Sequence, residues 1–207
     1  MINWIKLASP IEYSEALKIM EAKLEEVILN NANETICTLE HENVYTAGTS
    51  SKDEELLENS EIPVIHTGRG GKYTYHGPGQ SVIYPIIDLR KDNRSKDIKL
   101  YIKNLEQTVI NSLKQYNLEA YTIEEKVGIW VNHNQTPAKI GAIGVRIKKW
   151  VTYHGIAVNI STDLQNYKGI IPCGISDFPV TSLKELGIEI STEEFNSVFK
   201  KEFEQIF

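Results

Sequence analysis

The sharpest chemistry in this sequence belongs to one thiol and one amine in unusual surroundings. Cys173 stands between a proline and a glycine in Ile170-Ile171-Pro172-Cys173-Gly174-Ile175, after a strand-like run. A turn of that composition can expose a nucleophile, and a thiol becomes one when a nearby cation stabilises its thiolate. The opposing reading is a buried, inert cysteine, where free cysteines are most often found. Lys139 opens the apolar, glycine-dotted strand Lys139-Ile140-Gly141-Ala142-Ile143-Gly144. It is either an edge-strand surface lysine or a cation placed to shuttle protons. His154, in Tyr153-His154-Gly155, is either a half-buried strand histidine bonded to backbone or part of a site. Spacing alone does not bring Lys139 to Cys173.

A fourth feature is the stretch from His66 to Gln80, which holds five glycines, a proline, an arginine and two histidines. Glycines reach backbone conformations closed to other residues and let a ligand approach the main chain, so the run reads as a shaped backbone surface. Arg69-Gly70-Gly71 matches a phosphate-binding turn only loosely; it is neither a dinucleotide fingerprint nor a P-loop, and a plain turn remains the alternative.

The bulk properties narrow the classes. With 207 residues, 41% hydrophobic and 24% charged, the chain fits one core and one domain over residues 1–207. No apolar run is long enough to span a membrane, and the N-terminal Met1-Ile2-Asn3-Trp4-Ile5-Lys6 has no signal or transit pattern, so a cytoplasmic address is expected. Two cysteines make no disulfide framework, and no Cys/His cluster has metal-ligand spacing. A net charge of −6 argues against general nucleic-acid binding. Two basic clusters oppose the global sign: Arg90, Lys91, Arg94, Lys96, Lys99 and Lys103 against Asp92 and Asp97, and then Arg146, Lys148 and Lys149. They are solvated surface or a landing area for an acidic protein.

These residues must be positioned by a small set of elements. The capping-box pattern Ser9-Pro10-Ile11-Glu12 opens a helix to about Asn30, and Asp97 opens a second that closes near Tyr116-Asn117. Ser191-x-x-Glu194 opens a third, with Phe195, Val198, Phe199, Phe203 and Ile206 inward, and Thr181 caps a short helix stopped by Gly187. Strands are expected over Glu34–His41, Pro63–Thr67, Val127–Val131, Ala138–Ile147 and Trp150–Ile160, with a short helix near Asp53–Glu58. Pro85 makes Ser81–Leu89 an edge strand or a bulged one. A polar loop covers Asn132–Pro137, and Lys148-Lys149 forms the turn of a hairpin that opposes Ile143 to His154 and Lys139 to Val158.

Four motifs occur in order: Arg69-Gly70-Gly71-x-x-Thr74-Tyr75-His76-Gly77-Pro78-Gly79-Gln80, Lys139 through Arg146, Trp150 through Gly155, and Pro172-Cys173-Gly174-Ile175. Together they resemble the lipoyl(octanoyl) transferase family, over a span from about His41 to Leu183. Gly68 and Gly141 depart from it, where an acidic residue and an alanine are usual. The resemblance implies an α+β fold similar to biotin and lipoate protein ligases, a mixed, largely antiparallel sheet flanked by helices. It implies transfer of an octanoyl group from octanoyl-acyl carrier protein to a lysine of lipoyl domains, those of 2-oxoacid dehydrogenase complexes and the glycine cleavage H protein, as the first step of endogenous protein lipoylation. No nucleotide or other cofactor is implied. Carried onto this chain, Cys173 attacks the thioester to form an acyl-enzyme, and Lys139 lowers the thiol pKa and handles protons. Arg69, Gly70, Gly71, Lys72, Tyr73, Thr74, Tyr75 and His76 line the substrate site. Ala142, Ile143, Gly144, His154, Gly155, Ile156 and Ala157 contribute near the thioester, and glycine-rich main chain can supply N–H groups to an oxyanion. Apolar side chains around Val82–Ile87 and Ile156–Val158 hold the acyl chain.

Overall fold

The period-two runs and the long amphipathic patterns sort into two sheets and three helices. A computed structural model describes residues 2–57, 61–91, 94–174 and 178–207, and of Cys173 the main chain alone. Asp92, Ile175 and the Glu58 end of the expected short helix lie outside the described residues; a 3-10 turn covers Asp53–Glu55. In chain order the elements are β1 (Asn3–Lys6), α1 (Tyr13–Ile28), β2 (Thr35–Leu39), β3 (Val44–Ala47), β4 (Val64–His66), β5 (Tyr73–His76) and β6 (Gln80–Ile86). They continue as α2 (Ile98–Lys114), β7 (Ala120–Ile123), β8 (Lys126–His133), β9 (Thr136–Lys148), β10 (Val151–Asn159) and α3 (Thr192–Ile206). No helix is long and apolar enough to cross a membrane among the described residues.

The larger sheet runs β1-β2-β6-β10-β9-β8-β7, parallel between β1 and β2 and antiparallel elsewhere. Helix α1 covers one face, packing Ala16, Met20, Leu24 and Val27 over Cys37, Leu39, Val82 and Tyr84. Helices α2 and α3 cover the other, with Leu105, Val109, Phe195, Phe199 and Phe203 over Ile36, Ile83, Ile129 and Ile156. The small sheet β4-β3-β5 buries Tyr45, Tyr73 and Tyr75 with Tyr167 and Ile170.

Several sequence expectations shift. Helix α1 starts at Tyr13 with Glu12 as its cap, because Ile11 is held extended beside His41 and Ser9 Oγ instead accepts from the Glu40 amide. Ser182, not Thr181, takes the amide of Glu185 at the short turn that Gly187 ends. Strands β1 and β7, too short for periodicity to reveal, lie at the two edges. The expected polar loop at Asn132–Pro137 is mostly strand, because only Asn134 and Gln135 leave the extended region, both at positive φ. The same geometry moves the next turn by one residue. Lys149 and Trp150, at φ 49° and 64°, form it rather than Lys148-Lys149. Mirror-image two-residue turns suit the strand twist and need positive φ at both central positions. The register therefore moves by two: Ile143 faces Ile156, and His154 faces Val145.

Pro85 produces the most consequential irregularity. Strand β6 is not an edge; it lies between β2 and β10. The β6–β10 ladder holds at Ile156↔Ile83, and the same register returns at Val151↔Asp88, which places His154 opposite Pro85. Proline has no N–H to give to a ladder. The gap is filled by Thr152, whose hydroxyl donates to the Pro85 carbonyl and accepts from the Ile87 amide, while His154 takes φ 56°. A Cβ on neighbouring Gly155 would overlap the Ile83 carbonyl oxygen and come within 2.5 Å of Pro85 Cδ, whereas one on Gly141 would meet nothing nearer than the Ala157 oxygen at 3.3 Å. Gly155→Ala should therefore cost about 2 kcal/mol or more, as overpacking against main chain does. Gly141→Ala, restoring the residue usual in the resembled family, should stay within about 1 kcal/mol. Urea unfolding of both variants checks this, and equal losses would contradict the packing argument.

Candidate active site

Beside the interruption, with His154 and Gly155 in its lining, lies a cavity of about 630 Å³. Its walls come from β9 and β10 (Lys139, Ala142, Ile143, Gly144, His154, Gly155, Ile156, Ala157), and from the glycine-rich loop with β5 (Arg69, Gly70, Gly71, Lys72, Thr74, His76). Tyr13, Val82 and Tyr84 close one end, and Ile102, Glu106 and Val127 stand at another edge. Tyr73 and Tyr75 alternate to the opposite side of β5 and are buried in the small sheet's core, so their side chains do not line the cavity. Of the apolar side chains expected around an acyl chain, Val82, Tyr84 and Ile156 reach it, while Ile83, Ile87 and Val158 face the α2–α3 core.

Lys139 is an interior lysine, 6% exposed. Strand β9 carries an extra residue here: Trp130 pairs with Lys139 but Ile129 pairs with Gly141, so Ile140 is skipped. The Lys139 ammonium donates to the Val127 carbonyl at 2.7 Å and lies 5.6 Å from the Trp130 ring. Among the described residues it pairs with no carboxylate, which leaves its charge available to an anion in the cavity. Gly128, at φ 131°, makes the position possible, since a Cβ there would overlap Lys139 Cε and stand 2.9 Å from Nζ.

The Cys173 side chain lies outside the described residues, but its main chain and flanks are placed. It is central in a short 3-10 turn, Pro172–Gly174. Gly174 lines the main cavity beside Lys139, and Pro172 lines a small recess that Lys139 also borders. The chain enters this turn bonded to the Asp53–Glu55 turn, the Ile171 amide donating to the Glu55 carbonyl at 2.7 Å. It leaves beside Lys139, whose amide donates to the Pro179 carbonyl at 2.8 Å and whose carbonyl accepts from the Thr181 amide at 2.9 Å. The Lys72–Glu55 ion pair packs against Gly174, which at φ 66° and without a Cβ leaves it room.

Arg69 is 8% exposed and its guanidinium is directed at the protein, donating to Thr46 and to the carbonyls of Gly70 and Lys72. It shapes the loop rather than presenting a turn for phosphate. Arg146 lies over Gly68, where a Cβ would overlap its guanidinium.

Three histidines stand around the closed end. His41 Nε2 meets the Tyr84 hydroxyl at 2.7 Å, and His76 Nδ1 meets the Gln80 side chain at 2.7 Å. The rings of Tyr13, His41 and His76 pack together, and His154 stands edge-on to Tyr84. Burial first, then the Arg69 and Arg146 charges, brings His154 down to about 4. Burial does the same for His41 against the opposing pull of the Ile11 carbonyl, and drives His76 well below its usual value. The end lined by Tyr13, His76, Val82, Tyr84 and His154 is thus uncharged imidazole, phenol and aliphatic surface, while Arg69, Lys72, Glu106, Glu125, Lys126 and Lys139 bring charge to the rest of the lining. Cys37 is different: it is buried under α1 and its thiol is pushed up to about 11, which makes it a poor nucleophile. Nothing in the spacing singles out Tyr13, His41 or Gly128; a positive φ and a cross-sheet contact leave no periodic trace.

A mixed α+β sheet of this topology is shared with solved structures. A bipartite lipoate protein ligase from Thermoplasma acidophilum superposes with a TM-score of 0.73 at 16% identity, covering 100% of this chain and 84% of that one. Biotin protein ligase from Aquifex aeolicus gives 0.55 at 12% identity, covering 98% and 68%. The fold is that of the biotin and lipoate protein ligases. Residues 12–204 match the family of the lipoyl protein ligase A/B catalytic domain. The octanoyltransferase of Rickettsia bellii is 53% identical over 208 residues, 100% of both chains. This chain belongs to the lipoyl(octanoyl) transferase family and is an acyltransferase of that type.

Gly128→Ala should move the Lys139 amine and cost about 1–3 kcal/mol; a crystal structure of the variant with Lys139 in place would contradict the packing. A second outcome concerns pH. The unfolded chain binds protons on His41 and His154 from near pH 6.5, whereas the folded one resists until about 4. Stability is therefore lost as pH falls through that window, by roughly 2 kcal/mol per histidine at pH 5. Urea unfolding at pH 7 and pH 5 measures it, and His154→Gln should flatten the slope.

Proposed function

We propose that the chain acts over its whole length as one cytoplasmic catalytic unit that moves an octanoyl group from acyl carrier protein to a lysine of lipoyl domains through a thioester on Cys173. The lipoyl domains are those of 2-oxoacid dehydrogenase complexes and the glycine cleavage H protein. The observation that carries this is the placement of the residues flanking Cys173 beside Lys139, Gly174 on the main cavity and Pro172 on a small recess, both of which Lys139 also lines.

The Cys173 thiolate attacks the donor thioester carbonyl, the tetrahedral intermediate collapses, and the carrier thiolate leaves with a proton from Lys139. The acceptor lysine's neutral amine then attacks the acyl-enzyme. Its surplus proton passes to Lys139, Cys173 departs as thiolate, and an amide results. The glycine-bearing strands at Ala142–Gly144 and Gly155–Ala157 border the thioester, and Gly144 and Gly155 let the substrate approach the main chain there. Ion-pairing with Lys139 lowers the thiol pKa. Arg69 holds the loop that carries Gly70, Gly71, Lys72, Thr74 and His76 to the substrate, and Tyr73 and Tyr75 act from behind it. The apolar end between Tyr13, Val82 and Tyr84 takes the acyl chain.

The second reading comes from the shared fold: a ligase that activates a free acid with ATP. Incubation with octanoyl-carrier protein and no nucleotide separates the two. The expected result is a hydroxylamine-labile octanoyl adduct on Cys173 by mass spectrometry; an ATP requirement together with an active Cys173→Ala variant would establish the ligase. Lys139→Ala should fold, acylate on the order of 100-fold more slowly or worse, and raise the pH midpoint of Cys173 alkylation. An unchanged alkylation profile would show that Lys139 neither lowers the thiol pKa nor stabilises the thiolate.

A further inference from the structure

Helix α2 borders the cavity, and its outer surface carries lysines that pair with no carboxylate among the described residues. Ile102 and Glu106 line the cavity. Lys99 and Lys103 share their stripe at the i, i+3, i+4 and i+7 spacing of a single helix face and are exposed, as is Lys96 just before the helix. Ile98 and Leu100 add apolar area to the same end, 43% and 44% exposed. None of the three lysines enters an ion pair among the described residues.

The rest of the two basic clusters is placed differently, Arg146 over Gly68 with its charge toward His154 and the others in ion pairs or a turn. Arg90 is paired with Asp88, and Lys91 and Arg94 with Glu34, so those cations fasten the loop after β6 to the start of β2. Lys148 is paired with Glu25, and Lys149 forms the hairpin turn. At ~3.3 Å per residue, Lys148 stands roughly 30 Å along β9 from Lys139. The charges facing the mouth besides the α2 lysines are Glu106, Glu125, Lys126 and Lys72, the last already paired with Glu55. Glu106 on the same helix face and Asp97 at the helix N-cap leave three lysines against two carboxylates along this stretch.

We propose that the N-terminal half of α2, through Lys96, Lys99 and Lys103 around Ile98 and Leu100, is the docking surface for the acidic carrier protein that delivers the acyl thioester. This rests on the transfer reading above and adds the surface that reading needs. A net acidic enzyme and an acidic donor repel at long range, so a local cationic rim at the entrance both steers encounter and fixes which face of the donor meets the cavity. The apolar pair gives the bound complex contact area that charge alone does not.

The test reads binding and turnover separately. Affinity for octanoyl-carrier protein is titrated on a Cys173→Ala background at low salt and at about 0.3 M salt, comparing Lys96→Glu/Lys99→Glu/Lys103→Glu with Lys148→Glu/Lys149→Glu. The α2 variant should lose on the order of tenfold or more in affinity at low salt, with the gap narrowing as salt rises. The hairpin variant should bind as the parent does. In the Cys173 enzyme the α2 substitutions should lower kcat/KM with carrier-bound donor and leave octanoyl-pantetheine turnover within about twofold. Unchanged carrier affinity, an equal loss with octanoyl-pantetheine, or a loss confined to the hairpin variant would each overturn the surface. If the parent binds carrier protein at the α2 face but transfers nothing from either donor, the transfer reading fails while the docking surface stands.

Discussion

The arrangement depends on the main-chain clamp around the cysteine turn. Between Ile171 and Pro179 the chain leaves the small sheet and rejoins the large one, and each end is fixed by backbone hydrogen bonds, at Glu55 on one side and at Lys139 on the other. Backbone bonds of this kind cannot rotate away as a side-chain contact can. The second anchor is Lys139 itself, through its parallel bridge to Val180. Two segments more than thirty residues apart, Lys139 and the Pro172–Gly174 turn, thus come to border the same small recess. That tolerance for distance in sequence is what separates this site from a local motif.

A second constraint shapes the space the clamp faces. A regular β6–β10 ladder would continue from Ile156↔Ile83 through His154 and Pro85. Pro85 prevents it, and the strand opposite answers with His154 at positive φ and with Gly155 where no Cβ fits. Thr152 bridges the break from the facing strand, its hydroxyl bonding both the Pro85 carbonyl and the Ile87 amide at the centre of the sheet. Its consequence is chemical as well as steric. The ring of His154 joins Tyr84, His41 and His76 in a wall too dry to hold protons, which suits an aliphatic acyl chain better than a charged ligand.

These two constraints explain what the sequence discloses and what it hides. Residues with distinctive chemistry are legible: Lys139 in an apolar strand, the glycine-rich stretch after β4, and the Pro-Cys-Gly turn. So are α2 and α3, where long stripes and caps at Asp97 and Ser191 leave a periodic signal. Strands of four residues at the sheet edges are invisible, because four residues carry too little pattern. The β9–β10 hairpin is legible but its turn is placed one residue early, and the tight turn within Asn132–Pro137 is read as a longer loop, because Lys149-Trp150 and Asn134-Gln135 adopt positive φ without glycine. Pro85 announces a disturbance but not its position in the sheet, since a proline signals a missing donor and not which neighbour absorbs the loss. Tyr73 and Tyr75 join the expected site only through contiguity with their neighbours, which in a strand guarantees that alternate residues face away.

Charge is distributed so that the site has little of it and each piece is assigned. Arg69, the cation nearest the glycine-rich loop, turns its guanidinium to main-chain carbonyls and to Thr46, and so organises the loop while being shielded from a ligand. Lys72 is held by Glu55. Histidines that would otherwise compete for protons are kept neutral by burial. The Lys139 ammonium, like the Arg69 guanidinium, is bonded to neutral groups, and a neutral partner leaves a cation's field unspent. In a cavity of low polarity that field acts at full strength on an anion formed nearby, whereas the same lysine at the surface would be screened. An interior lysine is costly to keep in any fold. Here the bulge at Ile140, the glycine at 128 and the carbonyl of Val127 together maintain one, beside the turn that carries the cysteine.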